Sequence, residues 1–460
     1  MERPPSPQEV GEDTARSGTL IMAGSARPRI ERVSGAGGVG SRRAALLVAA
    51  VLGAALVVVL VVVPPWTLLP EPPGGPAPAE PSSVLPPDVL EQAESFAAAL
   101  RPASLISLVL GLAVSAVLGL TRLGARLVRA VAAPLGGGRA AQVLLGTAAV
   151  VVVGRLATLP VSAYAEVVRH RYGLSTRGWG LWLRDVAVST AISAVVTALA
   201  LGGFLWLVRR APRTWWAWAA AVAAGLVVAG SFVHPVVIEP AFNRFEPLPA
   251  GELRTRLLDL AEENGTPVQD VLVSDASRRT TALNAYVSGF GSTRRVVLYD
   301  TTLERLPDDA VASIVAHELG HVVHRDVLTG TLVGALGAAS AVALSGWLLS
   351  WTPLLRRAGV QSPADPAVVP LVLLLLSVGG LLSTPVQNLV SRQVEARADL
   401  RALELTGDAG AFTAMQRELA ATNLSDPDPP AAWQWFFGSH PTGAQRIAFA
   451  EDWQRLEDAG

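Results

Sequence analysis

The segment His317-Glu318-Leu319-Gly320-His321 sets two imidazoles four residues apart with a carboxylate beside the first. Residues four apart share one helical face, so both imidazoles can reach a single divalent cation. Glu318 lies about 100° round from His317, close enough to reach a water beside that cation without displacing it. Zinc lowers the pKa of such a water, and the carboxylate takes its proton. The reaction class that follows is amide hydrolysis. A surface helix with two solvated histidines is the plainer alternative, but Val315, Ala316, Leu319 and Val322 make this helix largely apolar.

A catalytic zinc needs a third protein ligand and an open position. The chain has no cysteine, so that ligand is a histidine or a carboxylate. The candidates are His324, His440, Glu395 and Asp399. His324 shares a face with His317 but sits about 10 Å further along the axis, too far for one ion to bind all three histidines. Residue chemistry alone leaves Glu395 and His440 open.

The elements that position these groups are mostly apolar. The chain has 460 residues, 51% hydrophobic and only 16% charged, against about 25% charged in a soluble domain. The mean hydropathy of +0.41 agrees. This excludes a disordered chain, a nucleic-acid binder and an ordinary soluble enzyme, and a net charge of −1 implies no polyanionic partner. All basic residues are arginine, which together with the alanine, glycine and proline content suggests a GC-rich bacterial genome.

Residues 1–40 read as a disordered tail, rich in Pro, Gly and Ser, without the pattern of a cleaved secretory signal. About 20 apolar residues cross a bilayer as a helix. Seven such segments are predicted: Ala44–Val63, Ala103–Leu120, Ala141–Tyr164, Val186–Val208, Trp215–Ile238, Leu328–Trp351 and Val368–Val386. Tryptophans near their ends fit interfacial belts. Spans one to five occupy 41–239 and spans six and seven 328–386, leaving two polar stretches, 240–327 and 387–460. The two together make a normal domain size and are predicted to fold as one. Within the first, Gly251–Asn264 has helical spacing, Val271–Val273 and Arg295–Tyr299 read as strands, and Pro307-Asp308-Asp309 opens the helix of the histidines, drawn as leading into span six.

His317–His321, with Asn284-Ala285-Tyr286 upstream and Ser391–Asp399 downstream, resembles the M48 family of integral-membrane zinc peptidases. Five spans before the site resemble its Ste24 branch, the type I CAAX prenyl proteases, rather than the four-span HtpX-like proteases. Phe242-Asn243-Arg244-Phe245, Asn423-Leu424-Ser425 and Ser439-His440-Pro441 with Arg446-Ile447 agree with that branch. The resemblance implies His317, His321 and Glu395 as ligands of one Zn²⁺ per chain, Glu318 as general base, and Asp399 as the acid that orients a ligand histidine. It implies that His440 and Arg446 stabilise the oxyanion or order the site. It also implies that Asn284, Ala285 and Tyr286 pair with substrate as an added β-strand.

The fold class implied is mainly α: a seven-helix transmembrane barrel or bundle around a water-filled chamber, with a zincin-like α+β metalloprotease domain. Arg155, midway along span three, is expected to face an aqueous or protein interior. The activity implied is a zinc endopeptidase of the cell membrane acting on peptide or membrane-protein substrates, with the lipid bilayer as its surroundings and oligomeric state open. HtpX-like quality control is the alternative within enzymes; an inactive membrane receptor or channel is the alternative outside them. Loop arginines concentrate in the tail and after spans two, four and six, with Arg101, Arg169, Arg171, Arg177 and Arg184 opposite. That distribution puts the tail in the cytoplasm and the catalytic stretches outside.

Overall fold

The structure, a computed structural model, describes residues 35–64, 66–233, 242–289 and 291–460. Nearly all of the expected tail falls outside these residues. The N-terminal half is a series of helices, apolar but for the short amphipathic α3: α1 (Gly35–Val62), α2 (Pro87–Leu120), α3 (Arg122–Ala132), α4 (Arg139–Arg171), α5 (Trp179–Arg210) and α6 (Trp215–Val233). A helix satisfies every backbone hydrogen bond internally, as an apolar medium demands. Then follow β1 (Phe245–Pro247), α7 (Glu252–Glu263), β2 (Asp270–Ser274), β3 (Ala285–Ser288), β4 (Arg295–Tyr299), α8 (Asp300–Arg305) and α9 (Asp308–Val323). The chain continues through α10 (Asp326–Leu349), α11 (Thr352–Arg357), α12 (Val369–Thr406), α13 (Ala409–Asn423), α14 (Ala431–Phe437) and α15 (Gly443–Ala459). The architecture is mainly helical with one small mixed sheet.

Among the described residues six helices are long and apolar enough to cross a membrane, against the seven predicted: α1, α2, α4, α5, α10 and α12. The remaining predicted span, Trp215–Ile238, is described only to Val233, and its apolar helix counts as Trp215–Ser231. It nevertheless runs antiparallel to α10 along that helix's length. Trp216 packs on Gly346 at one end, and Ser231 and Thr331 share a 2.8 Å hydrogen bond at the other. Around the bundle α4 packs on α2 and α5, α6 on α5 and α10, and α12 on α2, while α1 lies against α10.

Two helices extend well past their apolar stretches. α2 begins at Pro87 rather than near Ala103, so its first turns stand in the polar layer, where Ala93 packs with Val84, Leu85, Leu424 and Ile447. α12 carries on from its apolar half without a break to Thr406, through Pro385, so one helix carries both a span and Glu395.

The sheet order is β1-β2-β4-β3, with β2 parallel to β4 and the other pairs antiparallel. A right-handed α-helix supports the sheet: α9 is buried along most of its length, and its Val311, Ile314, Val315 and Leu319 join Val271, Val296 and Leu298 in one core. The same core contains Leu403, Phe412, Met415 and Trp453 from α12, α13 and α15. Gly320 lets α9 and α12 approach closely. A Cβ there would stand 3.1 Å from Arg401 Cβ and 3.2 Å from the Ala398 backbone.

The predicted continuation of α9 into span six is corrected by the structure. α9 ends at Val323, His324 caps it, and Arg325 takes φ 56° in the left-handed region, a conformation costing about 1–2 kcal/mol outside glycine. The chain therefore changes direction before α10, and Asp326 at the start of α10 turns back toward α9.

Candidate metal centre

α9 and α12 face each other across the Gly320 contact, and their side chains converge. His317 Nε2 lies 3.3 Å from one oxygen of Glu395, and His321 Nε2 lies 3.7 Å from the other. The two imidazole rings meet edge to face at 4.8 Å between centroids. One ligand atom from each of His317, His321 and Glu395 falls within 4.8 Å of the other two.

Both histidines are held from behind. Asp399 Oδ1 lies 2.8 Å from His317 Nδ1, and Asp326 Oδ2 lies 3.0 Å from His321 Nδ1. A carboxylate on one ring nitrogen fixes the proton there and leaves the other nitrogen's lone pair free for a cation. Two neutral imidazoles, one carboxylate and no sulfur is a donor set that suits zinc. The residues present thus fit the metal.

Asp399 is almost fully buried and is itself gripped by Arg446, whose Nε donates to Oδ2 at 2.9 Å while Nη2 donates to Oδ1. The Nε–Nη2 edge of Arg446 is spent on Asp399, with Nη2 also 3.3 Å from His317 Nδ1. Asp326 is likewise paired, with Arg397. These arginines neutralise carboxylates that would be costly to bury alone.

The electrostatics match the layout. Burial works against a charge on His317, but its hydrogen bonds to Asp399 and Glu395 win and push its pKa up to about 9. Burial raises the Glu318 carboxyl, partly opposed by the neighbouring histidines. His324 is lowered by burial and by Arg397 and stands outside the ligand cluster.

A cleft of about 260 Å³ opens onto the centre, lined by Asn284, Ala285, His317, Glu318, His321, Glu395, His440 and Arg446 among others. His440 stands at its rim, its side chain 59% exposed, with Nε2 3.5 Å from Glu395. Of the three residues expected to pair with substrate, Asn284 and Ala285 line the cleft and Tyr286 is not among the lining residues. β3, which begins at Ala285, is an edge strand of the sheet. Asp326 is the functional neighbour that sequence reasoning missed. It follows His321 by five residues, a spacing that means nothing on a continuous helix.

A bundle of membrane-length helices carrying a His-His-Glu cluster, with both histidines on an HExxH helix and the glutamate on α12, defines a membrane metallopeptidase. Residues 247–454 match Peptidase family M48, and residues 74–244 match the CAAX prenyl protease N-terminal domain with five membrane helices. The chain is 38% identical over 303 residues to the uncharacterized metalloprotease YhfN of Bacillus subtilis, covering 64% of this chain and 70% of that one. It is 30% identical over 304 residues to CAAX prenyl protease 1 homolog of Oryza sativa subsp. japonica, covering 64% and 69%. The crystal structure of S. mikatae Ste24p shares the fold, with TM-score 0.73 at 21% identity, over 88% of this chain and 99% of that one. The chain belongs to peptidase family M48, with the Ste24-type membrane domain ahead of it, and is a multi-pass membrane metalloprotease. A receptor or channel without activity is set aside by that membership.

Proposed function

We propose that the chain is a Ste24-like zinc endopeptidase that cleaves peptide or membrane-protein substrates, using Glu318 as its general base. The observation that carries this is the convergence of both Nε2 atoms on Glu395, with Glu318 in the same cleft. A zinc ion held by His317, His321 and Glu395 would supply a Lewis acid and lower the pKa of water. Glu318 accepts the proton of the attacking water and returns it to the leaving amine. Its raised pKa suits a group that must both take and give a proton. Asp399 and Asp326 hold the imidazoles in their tautomers, and Arg446 holds Asp399. His440, at the rim beside Glu395, is placed to donate a hydrogen bond to the developing oxyanion. Substrate lies extended along Asn284 and Ala285 as a further strand on β3, read through its backbone.

Residues 240–327 and 387–460 act as one zincin-like catalytic domain, and α6 is the seventh crossing of a helical barrel. That crossing number is supported by contacts at the end remote from the site, where Ser41 donates to the Arg213 carbonyl at 2.6 Å and Arg129 pairs with Asp365 at 2.9 Å. Of the arginines in the tail and the short loops, most lie at that end, which by the positive-inside rule puts the catalytic domain on the extracytoplasmic side.

The test is Glu318→Gln. The variant should retain zinc at wild-type stoichiometry and lose at least about 10²-fold in kcat. Cleavage at the wild-type rate, or a purified wild type that binds no zinc, refutes the mechanism.

A further inference from the structure

Far from the catalytic cleft, at the arginine-rich end of the bundle, a cavity of about 720 Å³ opens between the starts of α1 and α6 and the end of α10. Its polar lining includes Arg42, Arg213, Thr214, Ser350 and Ser362, and its floor includes Trp216. Arg42 stands 5.3 Å above the Trp347 ring, and neither arginine has an acidic partner among the described residues. Two unpaired guanidinium groups among hydroxyls make a site for a phosphate-bearing group.

A second cavity, about 760 Å³, lies beside the first between α1, α6 and α10, and Trp216 lines both. Apart from Thr329 and that indole, every residue lining it is aliphatic. Along α1 it reaches from Val48 to Val63, about 22 Å of helix. That exceeds half of the roughly 30 Å hydrocarbon core, the depth of one leaflet. Trp216 is fixed between the two cavities. Its Nε1 donates to Ser41 Oγ at 3.3 Å, and Gly346 leaves the space its side chain occupies, since a Cβ there would fall 2.6 Å from Trp216 Cβ.

We propose that this composite site binds one phospholipid with an anionic headgroup, the phosphate on Arg42 and Arg213 and an acyl chain in the groove between α1 and α6. Polarity and charge change together at Trp216, at the level where headgroup gives way to chain. Exposed Arg43, Arg209 and Arg210 on the same face add to the attraction for an anionic leaflet. The lipid then fills the cleft between α1 and α6, two helices that meet mainly through α10.

The experiment is native mass spectrometry of the full chain in neutral detergent, titrated with phosphatidylglycerol, phosphatidylcholine or glycerol 3-phosphate. One phosphatidylglycerol should bind per chain, at least about tenfold tighter than phosphatidylcholine, with each arginine contributing about fivefold. Glycerol 3-phosphate should not bind. Arg42→Gln with Arg213→Gln should abolish the preference while both lipids still bind. Ala221→Trp, which fills the groove, should remove both. Zinc content and thermal transition in detergent alone report whether each variant is folded, and a variant failing either is replaced by Arg42→Gln alone or Ala221→Leu. Equal binding of the two lipids by wild type, persistence of the preference in the arginine variants, or binding of glycerol 3-phosphate as tightly as the lipid overturns the proposal. So does a chain dimer that the groove-filling variant dissolves, which would give the groove to a second copy.

Discussion

Asp326 Oδ2 lies 3.0 Å from Nδ1 of His321, although the two residues stand on different helices with a left-handed Arg325 between them. The turn costs backbone energy and returns a carboxylate to the back of an imidazole. It makes the start of α10 part of the metal centre.

Asp326→Ala should therefore lower zinc affinity about 10–100-fold while the fold persists, the usual effect of removing the acceptor behind a ligand histidine. Competition with a chromophoric chelator measures it. Unchanged affinity would reduce Asp326 to a partner of Arg397.

Glu395→Ala should release the metal, and His440→Ala should keep it while lowering kcat. Elemental analysis beside turnover separates the two. Metal retained in the first variant and lost in the second would move the third ligand to His440, which stands only 3.5 Å away.

Zinc affinity should climb with pH. The metal-free His317 has its pKa pushed up to about 9, so at neutral pH it holds a proton that the metal must displace. Below that value the affinity should rise about tenfold per pH unit and level off above it. A flat profile between pH 6 and 8 would show that Asp399 and Glu395 do not hold a proton on the metal-free His317.

Gly320→Val tests the α9–α12 approach. Its added atoms meet Arg401 and the Ala398 backbone, so the helices must separate, at about 1–3 kcal/mol. A fall in the thermal transition of the zinc-loaded protein should accompany a fall in kcat, since the separation carries Glu395 away from His317.

The natural absence of cysteine makes sidedness directly measurable. On intact cells a membrane-impermeant maleimide should label Glu457→Cys and spare Arg357→Cys. Both positions are exposed, so the reverse pattern would put the catalytic domain in the cytoplasm.

The HExxH helix was legible because its chemistry is local: two imidazoles one turn apart need only a helix. β2 and β4 were legible for the same reason, as short β-branched runs. Glu395 was different. No spacing links it to His321 across two spans, and only the family resemblance singled it out. Asp326 escaped both routes, since a chain reversal at one non-glycine residue leaves no periodic trace. β1 and β3 escaped because three- and four-residue strands carry too little alternation to stand out. The long extensions of α2 and α12 escaped because an apolar count stops where the polar layer begins and a helix need not.

Glu395 stands on the far side of two spans from His317 and His321, on a helix that is still half embedded. During synthesis the histidine pair is therefore made while its proposed third ligand has yet to be synthesised, two spans later. A nascent chain stalled in that hairpin has no complete metal centre and no cutting power. On the proposed ligand set, proteolysis becomes available only to a chain whose last span is correctly inserted, and the membrane topology itself serves as the enzyme's safety catch.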